Sequence, residues 1–259
     1  MTLPDLPHSL AVFAAAYLAG GINSVAGGGT LLTFPTLLWL GLPSVPANAT
    51  NTVGLWPGSI GSIWGFRREL GRTSPKMRWL VIPSLAGGAI GALLLRITPS
   101  EIFDRLVPFL ILFATALFSL QGPLNKWLGQ PHGAVRSSPR WFTGVMLIQL
   151  GVSIYGGYFG AGMGIMMLTA LSVYGMTDIL EMNALTSLYS VCINGVAAAL
   201  FIAANMIRWP FALVMAVAAT LGGYGAAGVA RRIGKEAVRR FVIAVGFSMA
   251  AALFVRMFR

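Results

Sequence analysis

Two short glycine-rich clusters are the residues of this sequence best placed to do chemistry. They are Gly27-Gly28-Gly29-Thr30 and Gly160-Ala161-Gly162-Met163-Gly164. If a helix starts at each cluster, its first N–H groups have no acceptor within the helix and carry the positive end of the helix dipole. Such groups attract anions, and glycine lets an oxyanion approach the backbone closely. The same glycines could instead permit tight turns and close helix packing, and both interpretations stay open.

Neutral amide and hydroxyl side chains form a second group near the start of two apolar segments. Its members are Asn48, Thr50, Asn51 and Thr52 in the first half of the chain, and Asn183, Thr186 and Ser187 in the second. These side chains could cap the helix that begins there, or they could donate hydrogen bonds to an anion, and the two roles are compatible. Asn23 and Asn194 are weaker candidates of the same kind.

Titratable and nucleophilic groups are scarce. No carboxylate lies at the centre of an apolar segment, and for Asp178 and Glu181 we expect a solvated turn rather than ion coupling. His8 and His132 lie in a terminus and a linker, so a histidine relay is not expected. The chain lacks an H-E-x-x-H pair and a G-x-S-x-G elbow, and Cys192 is its single cysteine. We therefore predict a protein that is not an enzyme and uses no metal or cofactor.

The composition of the chain places these residues in a membrane. Of 259 residues, 56% are hydrophobic and 10% charged, whereas a soluble domain usually has about 25% charged residues. Several neutral runs reach the roughly 20 apolar residues that a bilayer-spanning helix needs. The net charge of +11 does not indicate nucleic-acid binding, because the basic residues lie between apolar runs rather than on one face of a soluble fold.

The apolar runs predict an all-α, polytopic helical bundle. Eight runs are long enough to cross a bilayer, at about 8–28, 46–66, 77–96, 102–121, 141–161, 183–205, 209–230 and 241–258. Two runs of 13 residues, 30–42 and 163–175, follow directly on the glycine-rich clusters. Each would give about 20 Å of helix, too short for an ordinary crossing. We expect both to be half-helices or re-entrant segments.

The same order of parts occurs in both halves of the chain: a glycine-rich break, a short apolar run, a glycine turn, a polar cluster and a full-length segment. Gly21, Ala26, Gly27 and Gly29 match Gly156, Ala161, Gly162 and Gly164 at a spacing of 135. Gly41-Leu42-Pro43 resembles Gly175-Met176-Thr177 at 134, and Asn48-Ala49-Thr50-Asn51 resembles Ala184-Leu185-Thr186-Ser187 at 136. We predict a first transmembrane repeat at 1–121, a basic linker at 122–140 and a second repeat at 141–259.

Loop charges predict that the two repeats have opposite orientations in the membrane. Loop 67–78 carries five basic residues and one acidic residue, whereas its counterpart at 205–208 has a single Arg. Loop 96–105 balances two basic against two acidic residues, whereas its counterpart 231–240 carries five basic residues and one acidic residue. Equivalent loops thus exchange their charge, as the positive-inside rule requires of inverted repeats. The linker would then be cytoplasmic and both termini external, although Arg256 and Arg259 weakly oppose this.

In these motifs the chain resembles the sulfite exporter TauE/SafE family of membrane transporters. In the first half the resemblance rests on Ala26-Gly27-Gly28-Gly29, Pro35, Gly41-Leu42-Pro43 and Ala47-Asn48-Ala49-Thr50-Asn51. In the second half it rests on Gly160-Ala161-Gly162-Met163-Gly164, Gly175 and Asn183-Ala184-Leu185-Thr186-Ser187-Leu188. It covers essentially the whole chain. The resemblance implies a plasma-membrane permease for small organic or sulfur-containing anions such as sulfite, sulfoacetate or related sulfonates, often acting as an exporter.

Two departures from the family pattern concern the second half. Met163 stands where the family often has another glycine, and the second short run lacks a proline matching Pro35. The second half-site is therefore expected to be less open to the ligand.

The leading hypothesis is a secondary carrier that moves a small oxyanion across the bilayer by alternating access. The two glycine-rich helix starts and the Asn, Thr and Ser clusters would bind the anion. A coupling ion, either a proton or sodium, is compatible with this scheme. The alternatives are a permease for another small solute, such as a carboxylate, and a membrane scaffold or sensor that transports nothing.

Overall fold

The computed structural model describes residues 6–25, 28–128, 139–176, 178–233 and 235–257. Over these ranges the chain is helical and contains no strand, which confirms the predicted all-α class. The helices are α1 (Leu6–Val25), α2 (Thr30–Trp39), α3 (Ser44–Gly65), α4 (Arg67–Arg72), α5 (Pro75–Arg78), α6 (Val81–Ile97), α7 (Ser100–Leu128), α8 (Pro139–Tyr158), α9 (Met163–Val173), α10 (Ile179–Ala203), α11 (Trp209–Ile233) and α12 (Lys235–Met257).

Helix length separates spanning segments from short ones. In the described part of the chain, the stretches long and apolar enough to cross a membrane are Pro75–Ile97, Ser100–Leu120 and Ile179–Ala203. The half-helices α2 and α9 have only 10 and 11 residues. At 1.5 Å per residue they cover about half of a hydrocarbon core roughly 30 Å thick. They lie where the sequence predicts short segments after glycine-rich breaks.

The two half-helices end in the same way. Gly41 and Gly175 have φ values of +83° and +88°, in the left-handed region that glycine enters without strain. After α2, the N–H of Leu42 donates to the carbonyl of Leu37 at 3.1 Å, and the bonds around Gly175 repeat this pattern. This Schellman arrangement satisfies the last carbonyls of each helix. The two glycines that the sequence predicts as turns are therefore the stop signals of α2 and α9.

Helix α2 folds back along α1 and so forms a hairpin with it. Beside the turn, Gly29 lies against Ala19 and Asn23. Farther along α2, Leu37 shares a cleft with Val12. Later residues of α2 thus meet earlier residues of α1, so the two helices are antiparallel.

Close packing of long helices occurs mainly between the two predicted repeats. Gly87 of α6 lies against Leu150 of α8, and Gly91 lies against Ile154. Because both residue numbers rise together, α6 and α8 are parallel. Gly residues permit this approach, since a Cβ at either position would press on the backbone of the neighbouring helix.

Helices α1 and α11 form a second close pair, with α1 in the first predicted repeat and α11 in the second. Gly20 of α1 lies against Ala219, and Val12 lines a cleft with Met215, so these helices are also parallel. In contrast, α7 and α12 are antiparallel, because Phe109 contacts Phe254 through an edge-to-face ring pair whereas Gly246 meets Thr115.

Two hydrophobic cores follow from these pairings. One core contains buried residues of α8, α9 and α10, such as Val152, Met167 and Tyr189, together with Leu80, which directly precedes α6. The other core draws on α1, α2, α3, α6 and α7, on α9 to α12, and on Phe159 and Ala161 of the second break. The buried residues of the first core therefore come from the second predicted repeat, apart from Leu80, whereas the larger core combines both repeats.

One boundary differs from the sequence-based prediction. Helix α7 continues to Leu128, so residues 122–128 of the predicted linker are helical. The reason is visible in the sequence, where Leu124 and Leu128 continue the apolar spacing of the helix beyond residue 121. Helix α8 begins at Pro139, a residue suited to the first helical turn. The remainder of the linker, 129–138, lies outside the described residues.

Candidate functional site

The first glycine-rich break joins α1 to α2. Gly27 lies outside the described residues, whereas Gly28 has a φ of +88° and Thr30 is the first residue of α2. The N–H of Gly29 donates to Asn23 Oδ1 at 2.7 Å. One of the amide groups that the sequence offers to an anion is thus already bonded to Asn23, a residue that the sequence ranks only as a weak candidate.

The second break joins α8 to α9. Gly160 and Gly162 have φ values of +80° and +77°, and Gly162 is the residue that precedes α9. The hydroxyl of Tyr155 donates to the carbonyl of Ala161 at 2.7 Å and so supports the turn from the side of α8. A Cβ on Gly164 would lie 3.7 Å from Thr186 Cγ2, an ordinary van der Waals distance.

The structure brings the two breaks to one face of α7. A Cβ on Gly28 would lie 2.7 Å from Phe118 Cε2, and a Cβ on Gly162 would lie 3.4 Å from Ala114 Cα. Ala114 and Phe118 are four residues apart on α7 and therefore share a face. The two glycine-rich segments, 134 residues apart in the sequence, are neighbours in the fold.

Aromatic rings link the same region. Phe34 of α2 and Phe159 of the second break form an edge-to-face pair with centroids 5.3 Å apart. Phe159 also packs against Phe103 of α7 and Tyr155 of α8. The sequence does not single out these aromatic residues, because rings in an apolar run look the same whether they face lipid or a site.

The first polar cluster lies beside the second break. Asn48, only 1% exposed, donates from Nδ2 to the carbonyl of Tyr158 at 2.8 Å. Its Oδ1 is buried and has no hydrogen-bond partner. Asn51 Oδ1 accepts a hydrogen bond from the hydroxyl of Thr33 on α2. Asn48 and Asn51 thus connect α3 to α8 and α2.

Other members of this cluster bind within the protein. The hydroxyl of Thr50 accepts a hydrogen bond from the N–H of Arg208 at 3.0 Å, which ties α3 to the start of α11. Thr52 donates to the carbonyl of Asn48 at 3.0 Å. The capping interpretation is wrong for Asn48, because α3 already begins at Ser44.

The second polar cluster lies inside α10. Asn183, Thr186 and Ser187 are half-buried, and Thr186 Oγ1 is buried without a partner. Capping is wrong for Asn183 as well, because Asp178 caps this helix by accepting hydrogen bonds from two backbone N–H groups. The sequence carries the signal for this cap, an exposed Asp directly before an apolar helix.

The site is electrically neutral. Among the described residues, every fully buried polar residue is a Ser, Thr, Asn or Gln. No group of three His, Cys, Asp or Glu in the described ranges is placed to hold a metal ion. Beside Thr33, a narrow cleft without room for a water molecule lies between α1, α2 and α11. Its lining consists of Val12, Ala15, Thr33, Thr36, Leu37 and Met215.

A buried polar group that the sequence analysis missed lies between α6 and α8. Gln149 Nε2 donates to Ser84 Oγ at 2.9 Å and approaches Ser153 Oγ at 3.4 Å, and all three residues are fully buried. A Gln inside an apolar run is itself a readable signal, because polar side chains in membranes hold helices together.

Comparisons with known proteins agree with this architecture. Residues 12–253 match the family model described as sulfite exporter TauE/SafE. A "probable membrane transporter protein" of Haemophilus influenzae is 30% identical over 243 residues, which cover 93% of this chain and 92% of the relative. "Probable membrane transporter protein YfcA" of Escherichia coli K12 is 28% identical, over 93% of this chain and 88% of the relative.

No solved structure gives a significant match to the chain. The sequence relatives nevertheless extend over nearly its whole length. The chain therefore belongs to the sulfite exporter TauE/SafE family of membrane transporter proteins.

Proposed function

We propose that this protein is a multi-pass secondary transporter of the plasma membrane that carries a small sulfur-containing or organic anion, such as sulfite or a sulfonate. The observation that supports it best is the meeting of two glycine-rich breaks, one from each half of the chain, on one face of α7. Unwound backbone at membrane depth is tolerated only around a protein-lined or water-filled space, and transporters bind their substrates at such broken helices. The substrate class comes from the family resemblance.

In this proposal the two halves are inverted repeats. Three matched features support the repeat: the glycine stops at 41 and 175, the half-helices before them, and two threonine bonds. Thr33 lies 3.2 Å from the carbonyl of Gly29, and Thr169 donates to the carbonyl of Ile165 at 2.8 Å. Both residues of the second pair lie 136 positions after those of the first. The antiparallel pair α7–α12 supports inversion. These are the last helices of the two repeats, and equivalent helices would be parallel if the two-fold axis lay along the membrane normal.

The anion would lie between the breaks, in contact with members of both polar clusters. The candidate binding residues are Gly27, Gly28, Gly29, Thr30, Asn48, Thr50, Asn51, Gly160, Gly162, Gly164, Asn183, Thr186 and Ser187. Amide and hydroxyl donors at this depth suit an anion, because they neutralise its charge through hydrogen bonds without adding a fixed positive charge.

Alternating access would move units that mix the two repeats. One unit is α8, α9 and α10, which share a core, together with α6, which packs closely on α8 and on Ile193 of α10. The other unit is α1, α2, α3 and α11. Close glycine contacts within the α6–α8 and α1–α11 pairs keep each unit rigid. Asn48–Tyr158 and Phe34–Phe159 join the units at the site, and Trp56 of α3 donates from Nε1 to the carbonyl of Val191 on α10 at 3.1 Å. These contacts would change when the units rock.

Flux through the purified protein tests the proposal. In proteoliposomes, wild-type protein should move labelled sulfite or a sulfonate. Gly164→Leu should abolish this flux, since a Cβ fits beside Thr186 whereas the rest of a leucine side chain would fill the space between α9 and α10. Gly151→Leu is the matched control, because Gly151 of α8 is exposed and has open space around it.

The outcomes separate the alternatives. Flux of a labelled carboxylate, without flux of sulfite, would mean that the protein is a transporter whose substrate is a carboxylate. Absence of flux for every anion tested, with wild-type protein folded in the vesicles, would favour the scaffold or sensor. Equal flux through Gly164→Leu and Gly151→Leu would show that the second break is not part of the binding site.

A further inference from the structure

A closed set of contacts joins α2, α3 and the end of α8. Asn48 reaches the carbonyl of Tyr158, the next residue Phe159 packs on Phe34, and Thr33, next to Phe34, is hydrogen-bonded to Asn51. Asn48 and Asn51 are three residues apart on α3 and therefore face the same side, with Cβ atoms about 5–6 Å apart. The side chains of Thr33, Asn48 and Asn51 are therefore buried together where α2, α3 and the end of α8 meet.

One acceptor oxygen in this set, Asn48 Oδ1, is buried without a donor. The carbonyl of Tyr158 can only accept, so the atom of Asn48 facing it must be Nδ2. Asn48 is only 1% exposed. This assignment therefore leaves its Oδ1 as a buried acceptor without a donor. The single hydroxyl hydrogen of Thr33 is shared between two further acceptors, Asn51 Oδ1 and the carbonyl of Gly29.

A buried acceptor without a donor is costly, and a small hard cation removes the cost because it binds oxygen ligands. Neutral side-chain and backbone oxygens beside broken helices are the ligands that transporters use for sodium. A proton has no place to bind, because amides and hydroxyls do not titrate near neutral pH. In the described ranges no carboxylate or histidine is among the buried residues.

We propose that Thr33 Oγ1, Asn48 Oδ1 and Asn51 Oδ1 form a sodium site, and that this sodium ion is the coupling ion of transport. The second clause rests on the proposed function, whereas binding of the ion does not. The site lies beside the breaks that receive the anion, so the cation offsets the negative charge that would otherwise enter a neutral, buried environment.

Cation-dependent stability of the full chain tests the site without any substrate. Thermal unfolding in detergent is followed at fixed pH and ionic strength while NaCl replaces KCl or choline chloride. We expect sodium, and neither potassium nor choline, to raise Tm in a saturable way, because a ligand that binds only the folded state stabilises it. In Thr33→Val and Asn48→Ala the half-saturating sodium concentration should rise at least about tenfold.

Thr36→Val is the matched control. Thr36 is on the same helix as Thr33 and likewise lies near the carbonyl four residues earlier, with its hydroxyl 2.8 Å from Leu32 O, but it is not among the three ligands. Its half-saturating concentration should be unchanged. Equal Tm values in sodium, potassium and choline for the wild-type protein would overturn the site even if a variant fails to fold. Equal weakening in Thr36→Val would overturn the assignment of Thr33.

Proteoliposome flux then separates this inference from the proposed function. Anion flux that is driven by an imposed sodium gradient supports both. Anion flux that does not respond to a sodium gradient but is driven by a pH gradient would overturn the role of sodium as the coupling ion. It would mean that the anion carries its own proton. A sodium-specific rise in Tm without flux of any anion supports the sodium site and contradicts the transporter.

Discussion

Replacing one glycine at the α6–α8 contact should measure how much the structure depends on close helix packing. A Cβ on Gly91 would overlap the carbonyl oxygen of Ile154 and lie 2.7 Å from the backbone nitrogen of Tyr158, whereas ordinary contact begins at 3.4 Å. In Gly91→Ala the two backbones must therefore separate by at least 0.7 Å, the difference between these distances. Neither atom belongs to a flexible side chain, so the strain cannot be relieved locally.

Overpacking of this kind costs about 1–3 kcal/mol. At about 2–4 °C per kcal/mol for a chain of this size, Tm should fall by roughly 2–12 °C. Gly151→Ala on α8 is the control, because a Cβ there meets nothing within 4 Å. This control should gain about 0.5–1 kcal/mol, since alanine favours a helix over glycine.

The assay is thermal unfolding of both variants in the same detergent, with circular dichroism to follow helix content. The expected order of Tm is Gly151→Ala, then wild type, then Gly91→Ala. A Gly91→Ala protein as stable as Gly151→Ala would refute the close parallel packing of α6 on α8, and with it the main support for mixed moving units.

Three further results are expected. Asp178→Ala should lower the stability of α10 by about 0.5–2 kcal/mol in thermal unfolding and leave anion flux intact, because Asp178 caps the helix and is exposed; loss of flux at normal stability would give it a transport role. Tyr174→Phe should cost about 1–2 kcal/mol in the same assay, since the hydroxyl donates to the buried carbonyl of Val145 at 2.7 Å; no change in Tm would contradict that bond. A reporter fused after Arg259 should read as external if the repeats are inverted, and a cytoplasmic signal is the contrary result.

Local rules explain why much of the fold was predictable. The stop signals of α2 and α9 depend on the left-handed backbone at Gly41 and Gly175, a conformation that glycine favours at helix ends. Of the eight runs predicted to span, the described residues contain three helices long and apolar enough to cross, Pro75–Ile97, Ser100–Leu120 and Ile179–Ala203, and these follow from the length of the apolar runs. Such features depend on residues that are close together in the sequence, so they can be predicted without knowing which helices pack together.

Helix partners and the state of individual polar atoms were not predictable. Small residues permit close packing but do not say which helix approaches, so the contact of Gly91 with Ile154 across the repeats has no signature in the sequence. Likewise, Asn48 is recognisable as a polar residue in an apolar run. Only the structure shows that its amide nitrogen is hydrogen-bonded to the carbonyl of Tyr158 and that its amide oxygen has no hydrogen-bond partner.

The pairing of α1 with α11 has a consequence for how the protein is made. The close contact of α1 is with Gly222 of α11, so the ribosome must synthesise every helix from α2 to α10 before α1 meets its partner. Until then the glycine face of α1 is exposed to lipid or to the insertion machinery. Assembly is therefore completed late in biosynthesis. Two fragments divided within 129–138 should remain inactive separately and regain activity when both are produced in one cell.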